Sequence, residues 1–229
     1  MVFRRIPVFI VTTFALTFVV SAIQFLLVRD GPAGKVIGEL FSALLTLLII
    51  PYEIAIYRLV LLGEMPSHYL EQVGTERFRR FLLWSLLLWA TNAIPNILVN
   101  VLPVPGGGLL TFGTIATVVS VIIIIRLLLL LPAIAIDARG ASATNALADS
   151  KGHFWFIFGS ALIPVLPLVL LAIAFIMFMA FSRVDDIPKL LDGWNPLRDG
   201  VIAAIGTGGL TVATAAIARV FESIGQNLK

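Results

Sequence analysis

Long apolar runs alternate with short polar breaks along the whole chain. Six of the runs, 6–28, 37–62, 78–101, 109–136, 154–182 and 199–219, can cross a bilayer. A helix rises 1.5 Å per residue, so a hydrocarbon core of about 30 Å needs about 20 residues. The breaks are rich in Pro and Gly: RDGPAGK at 29–35 and PVPGGG at 103–108 predict tight turns. The connector RVDDIPKLLDGWNPLRD at 183–199 is polar, and its Trp194 suits the headgroup level. The connectors at 67–80 and 142–151 each open on a Ser that can cap a helix. The second predicts a short surface helix with Ala143, Ala146 and Leu147 on one face and Asp149 and Lys151 toward water. The predicted fold is all-α: one polytopic transmembrane bundle over 1–229, with short interfacial helices on its cytoplasmic side.

Composition narrows the class. Of the 229 residues 59% are hydrophobic and only 13% charged, against about 25% charged in soluble domains. Mean hydropathy is +1.04. No segment outside the apolar runs could build a soluble catalytic domain. The net charge of +3 does not point to nucleic acid, because the basic residues cluster at the ends of apolar runs. Cysteine is absent, so disulfides, thiolate metal sites and a cysteine nucleophile are excluded. The N-terminal stretch MVFRR followed by an apolar run resembles a signal peptide, but the run continues from Ile6 to Val28, which suits a retained span.

Lys and Arg set the orientation. With six spans and the N-terminus inside, Arg4, Arg5, Arg77, Arg79, Arg80, Arg139, Lys151, Arg219 and Lys229 lie inside. Arg29, Lys35, Arg183, Lys189 and Arg198 lie outside. This bias predicts both termini in the cytoplasm, in an inner (plasma) membrane. IPYEIAIYR at 50–58 and LPAIAIDAR at 131–139 share Pro, an Ile-Ala-Ile core and a closing Arg, which raises a parallel internal repeat of 37–101 on 109–182.

RLLLLLPAIAIDARG, followed after a short polar stretch by SKGHFWFIF, resembles uncharacterised bacterial integral membrane proteins. These are similar to the membrane domain attached to some glycerophosphoryl diester phosphodiesterases. Arg126, the 131–137 stretch and Ser150 to Trp155 carry the resemblance, while Leu147 stands where an aromatic is usual. The resemblance implies a membrane part with no assigned catalytic residues, and the phosphodiesterase domain is absent.

Ionisable residues inside spans are the first site candidates, because a charge in hydrocarbon costs roughly 2.5–3.5 kcal/mol or more. Glu53 and Arg126 fall at about the same depth, roughly 14–15 Å from the inner ends of their spans, and could pair. Such a pair reads first as a structural clasp and second as a gate on a path. Asn92, Asn96 and Asn100 recur every four residues along one face, and Pro95 between them frees the carbonyl of Thr91. They read first as glue between helices and second as the lining of a polar path. Gly200, Ala204 and Gly208 form a small-residue stripe for close helix packing. No phosphate loop, zinc-binding motif or partnered nucleophile is present. No catalytic, cofactor or metal site is expected. The expectation is a non-enzymatic membrane protein that binds lipid, a protein partner or its own copies, and no nucleic acid. The alternative is a small transporter or channel subunit using the Asn stripe and the Glu53–Arg126 pair.

Overall fold

Pro residues decide where the apolar runs stay whole and where they break. The computed structural model describes residues 5–28, 31–101, 108–182 and 196–229. Of the turn expected at 29–35 only 31–35 is described, and there α2 already begins at Pro32; residues 103–107 of the turn expected at 103–108 and the Trp194 anchor lie outside the described residues. The described residues form α1 (Ile6–Leu27), α2 (Pro32–Leu62), α3 (Glu76–Val101), α4 (Gly108–Leu127), α5 (Leu130–Ala135), α6 (Ala143–Asp149), α7 (Phe154–Leu162), α8 (Leu166–Ser182) and α9 (Pro196–Ile224). The fold is all-helical among these residues. Four helices are long and apolar enough to cross a membrane, or five if the bent pair α7–α8 counts as one span.

The run at 109–136, expected as one span, is two helices with a turn between them. Pro132 has no N–H to give the carbonyl of Leu128, and its ring clashes with that carbonyl in a continuous helix. Regular helix therefore ends at Leu127 and restarts at Leu130, so that Pro132 falls in the first turn of α5, where it is tolerated. The same chemistry at Pro164 and Pro167 splits the run at 154–182 into α7 and α8, which meet at 44°. Pro51 and Pro95, by contrast, sit inside the continuous helices α2 and α3. At Pro95 the reason is visible: the Ser120 hydroxyl on α4 donates to the freed Thr91 carbonyl at 2.5 Å.

α2 and α9 form the centre. α2 packs on α1, α3, α5 and α9, whereas α9 packs on α1, α2, α5, α7 and α8. α4 joins α3 to α6 and α7 on the flank. The short α5 plugs one end of the bundle between α2, α3 and α9, and all six of its residues are buried. Its Ile134 makes the main core with Ile54, Phe81, Leu129, Ile157 and Phe221. Burying such side chains contributes about 1.5–3 kcal/mol each in water. In lipid the contribution comes from packing instead, because acyl chains are as apolar as the core.

The outer faces of α4 and α8 are exposed apolar surface, with Val118, Val119, Leu170 and Phe178 among the exposed residues. Such faces suit lipid rather than water. The Ile-Ala-Ile segments take different forms: one lies inside α2 and the other is part of α5. They meet where the Arg58 guanidinium donates to the Ala135 carbonyl at 3.2 Å.

Candidate functional site

Three connecting pieces converge at the end of the bundle that α5 plugs. The turn after α2 begins with Gly63 in the left-handed conformation (φ 69°), closing the helix with a C-cap that L side chains avoid. In the connector at 67–80 Ser67 does not cap a helix, since 67–75 are turns and helix starts at Glu76: the Glu71 carboxylate accepts from both the Ser67 hydroxyl (2.6 Å) and the Ser67 N–H. These donors hold the Glu71 carboxyl below its ordinary value. Thr75 then caps α3, accepting from the Phe78 N–H at 3.1 Å. Tyr69 reaches back into the bundle, where its hydroxyl donates to the Leu48 carbonyl at 2.9 Å and lies 3.3 Å from the Thr13 hydroxyl. Burial pushes the Tyr69 phenol above its ordinary value.

Arg77 ties this turn to the next connector by an ion pair with Asp137. Asp137 has φ 55° and ends α5 in the left-handed conformation that Asp tolerates better than most residues. Arg80 donates to the Ala141 carbonyl at 2.9 Å. α6 begins as its sequence predicts, with the Ser142 hydroxyl accepting from the Asn145 N–H. Its outward face is different from the expected one. Asp149, expected toward water, is 6% exposed, and Leu147, expected on the packed face, is exposed.

Asp149 is buried because the end of the chain folds over it. Its carboxylate accepts from the Asn227 N–H (3.1 and 3.0 Å), the Asn227 side-chain amide (2.5 Å) and the Leu228 N–H (3.1 Å). Asn145 donates to the carbonyls of Gly140 (2.8 Å) and Asn227 (3.0 Å). Gly140 is required here: a Cβ on it would stand 2.1 Å from the Asn227 carbonyl oxygen. Leu228 is wholly buried behind this lock. This end is therefore closed by its own hydrogen bonds.

The intramembrane candidates do not converge. Glu53 lies part-buried on α2, and Arg126 lies part-buried in the last turn of α4. Among the described residues neither takes part in an ion pair. The expected Glu53–Arg126 pair is not formed, since the main neighbours of α4 are α3, α6 and α7. Asn92 is exposed on the surface of α3 and Asn96 is part-buried, while the side chain of Asn100 lies outside the described residues. In the small-residue stripe, Gly200 faces Phe18 of α1 and Gly208 faces Leu168 of α8, each at 3.7 Å from an added Cβ, and Ala204 is exposed. These positions serve two different neighbours rather than one face.

A polar site that the sequence reading missed lies at the other end. Thr13, Thr17, Ser21 and Gln24 follow a spacing of four, four and three, so one face of α1 is polar along most of its length. That face turns toward α9. There Thr17, Ser21 and Gln24 line a cavity of about 530 Å³ together with Phe25, Ile202, Gly206 and the Arg198–Asp199 pair. The Arg198 guanidinium meets Asp199 through two bonds, Nε–Oδ1 at 2.7 Å and Nη2–Oδ2 at 3.1 Å. The two side chains are 13% and 19% exposed. The signal was legible in the spacing, but short hydroxyl side chains in an oily run are easily taken as bland.

Three further cavities have mostly apolar walls and open along the flank. One of about 500 Å³ lies between α8 and α9, where Gly206 leaves side-chain space empty. One of about 380 Å³ lies between α4 and α7, beside Trp155, which is 76% exposed. One of about 670 Å³ lies between α7 and α9, with Arg219 and Ser223 at its edge. None of the four cavities is lined by Glu53, Arg126, Asn92, Asn96 or Asn100. No group of three or more His, Asp or Glu side chains able to hold a metal ion occurs among the described residues. Comparison with protein-family models, with curated proteins and with solved structures finds no match to the chain.

Proposed function

We propose that this chain is a non-enzymatic integral membrane protein, with six membrane-inserted segments and both ends cytoplasmic, whose work is to bind lipid. The observation that carries this reading is the set of open cavities between helices. The groove between α8 and α9 has Val165, Leu168, Ala172 and Ile176 on one side and Ile205 and Ala213 on the other. Its walls suit an acyl chain and offer nothing to a polar solute. The closed network at the α5 end supports the same reading, because Asp149, Arg77 and Arg80 are taken up by bonds within the fold. The α4 segment, at 20 residues with its first turn on Gly108, can still reach across much of a bilayer when followed by α5. The resemblance carried by Arg126, the 131–137 stretch and Ser150 to Trp155 agrees with a membrane part that lacks catalytic residues. A protein partner or a second copy would sit on the same apolar flank.

Photocrosslinking tests the proposal. The protein is reconstituted in vesicles with a phospholipid bearing a diazirine near the end of one acyl chain, then irradiated and mapped by mass spectrometry. Adducts are expected to concentrate on the α8–α9 groove, at Leu168, Ala172, Ile205 and Ala213. Adducts spread evenly over the exposed faces of α4 and α8 would overturn the reading. Solute flux through the reconstituted protein that Glu53→Gln or Asn96→Ala abolishes would replace it with transport.

A further inference from the structure

We propose that the groove between α4 and α7 holds one acyl chain of an anionic glycerophospholipid, with Arg126 on its phosphate. The inference rests on the lipid-binding reading and names the lipid class. The groove of about 380 Å³ has Val118, Ile122 and Ile125 of α4 on one side and Phe154, Trp155 and Phe158 of α7 on the other. The Trp155 ring stands edge-on to both phenylalanines, 5.2 Å from Phe154 and 6.0 Å from Phe158 between ring centres. Such walls suit a hydrocarbon chain. Arg126 follows Ile122 by one helical turn on the same face, in the last turn of α4. It therefore stands where the groove meets the α5 end. The link 150–153 passes the same place, because α6 and α7, which it joins, both pack on α4. Lys151 and His153 in that link are exposed.

Charge then selects the headgroup. Arg126 is part-buried and makes no ion pair or side-chain hydrogen bond among the described residues. The carbonyl end of α4 favours a cation there. A guanidinium beside hydrocarbon still needs an acceptor for its N–H groups. A phosphate takes the planar fork through two parallel bonds. The groove has no carboxylate in its lining among the described residues. Asp149, the acid next to the link, is already bound to Asn227 and Leu228. An ammonium headgroup therefore finds no anion here and adds a positive charge beside Arg126 and Lys151. An anionic lipid brings the phosphate without that charge. In the proposed orientation the α5 end lies at the inner leaflet, where the exposed Trp155 suits the headgroup level.

Native mass spectrometry of the delipidated full chain in detergent tests this with phosphatidylglycerol, phosphatidylcholine, phosphatidylethanolamine and soluble glycerol phosphate. Phosphatidylglycerol is expected to bind about tenfold tighter than either zwitterionic lipid. Arg126→Gln should bring the three lipids to within about twofold of one another. Arg126→Lys should keep part of the preference, since the charge stays and the fork is lost. Ile122→Trp fills the groove from an exposed position and should weaken phosphatidylglycerol about tenfold with thermal stability kept. That variant leaves Arg126 in place, so it carries the test even where Arg126→Gln fails to fold. An unchanged preference in Arg126→Gln, an unchanged phosphatidylglycerol affinity in Ile122→Trp, or glycerol phosphate binding as tightly as the lipid would overturn the proposal. If no phospholipid of any class binds, the lipid-binding reading falls as well. If all three lipids bind the unaltered protein without headgroup preference, only this inference falls.

Discussion

Replacing Asp149 by Ala should release residues 226–229 without unfolding the bundle. The carboxylate holds two backbone N–H groups and one side-chain amide of that segment. A hydrogen bond to a charged group is worth about 1.5–3 kcal/mol net, and an orphaned buried donor costs about 1–3 kcal/mol. With the segment held in place, losing two backbone bonds would exceed what it gains by docking. That gain is chiefly the burial of Leu228, about 1.5–3 kcal/mol. The segment therefore leaves, its donors find water, and the measured cost is capped near the docking energy, about 3 kcal/mol. Asp149→Asn should cost about half as much, because one oxygen still accepts while the amide nitrogen faces donors.

A coupling measurement separates this account from general damage. Leu228→Ala removes the other half of the lock, so the double variant with Asp149→Ala should cost little more than the larger single change. Stability is read by reversible unfolding in mixed detergent micelles, and release by hydrogen exchange at the amides of Asn227 and Leu228. Both amides should lose protection in Asp149→Ala while the amides of α9 keep theirs. Costs that add to within about 0.5 kcal/mol would show that the two residues act independently. That result would refute the lock.

Two further outcomes follow from single contacts. Ser120→Ala orphans the Thr91 carbonyl that Pro95 frees and should cost about 1 kcal/mol in the same unfolding assay; in a Pro95→Ala background the restored helix bond should remove most of that cost. Glu71 is depressed below its ordinary 4.5 by its bonds to Ser67, so the turn gains stability above that value and loses it as pH falls through the lower folded value. Protection of the Ser67 amide, relative to its intrinsic exchange rate at each pH, should hold at neutral pH and fall only below about pH 4.5.

The helical class and most span positions could be read from apolar run length, because lipid demands internally bonded backbone. The breaks at Leu128 and after Leu162 were also within reach, since a Pro disrupts the carbonyl four residues before it. Why Pro95 leaves α3 whole was not, because the rescuing Ser120 is 25 residues later on another helix. Asp149 failed for the same reason: a face of alanines gave no sign that the chain end would cover it. The Glu53–Arg126 pairing equated depth with proximity, and helix order is set by packing that spacing does not record. The α1 stripe was the reverse case, a periodic signal present in the sequence at Thr13, Thr17, Ser21 and Gln24 but outweighed by the more polar Asn stripe.

Asp149 shows how burial makes a charge a structural part of the fold. Asp149 is saturated by donors from the chain itself, and no cavity adjoins it among those described. Any ligand there must first break bonds that hold the fold. Asp199 meets Arg198 beside a cavity of about 530 Å³. At the α5 end Arg77 is held by Asp137, and Arg58 and Arg80 donate to the Ala135 and Ala141 carbonyls.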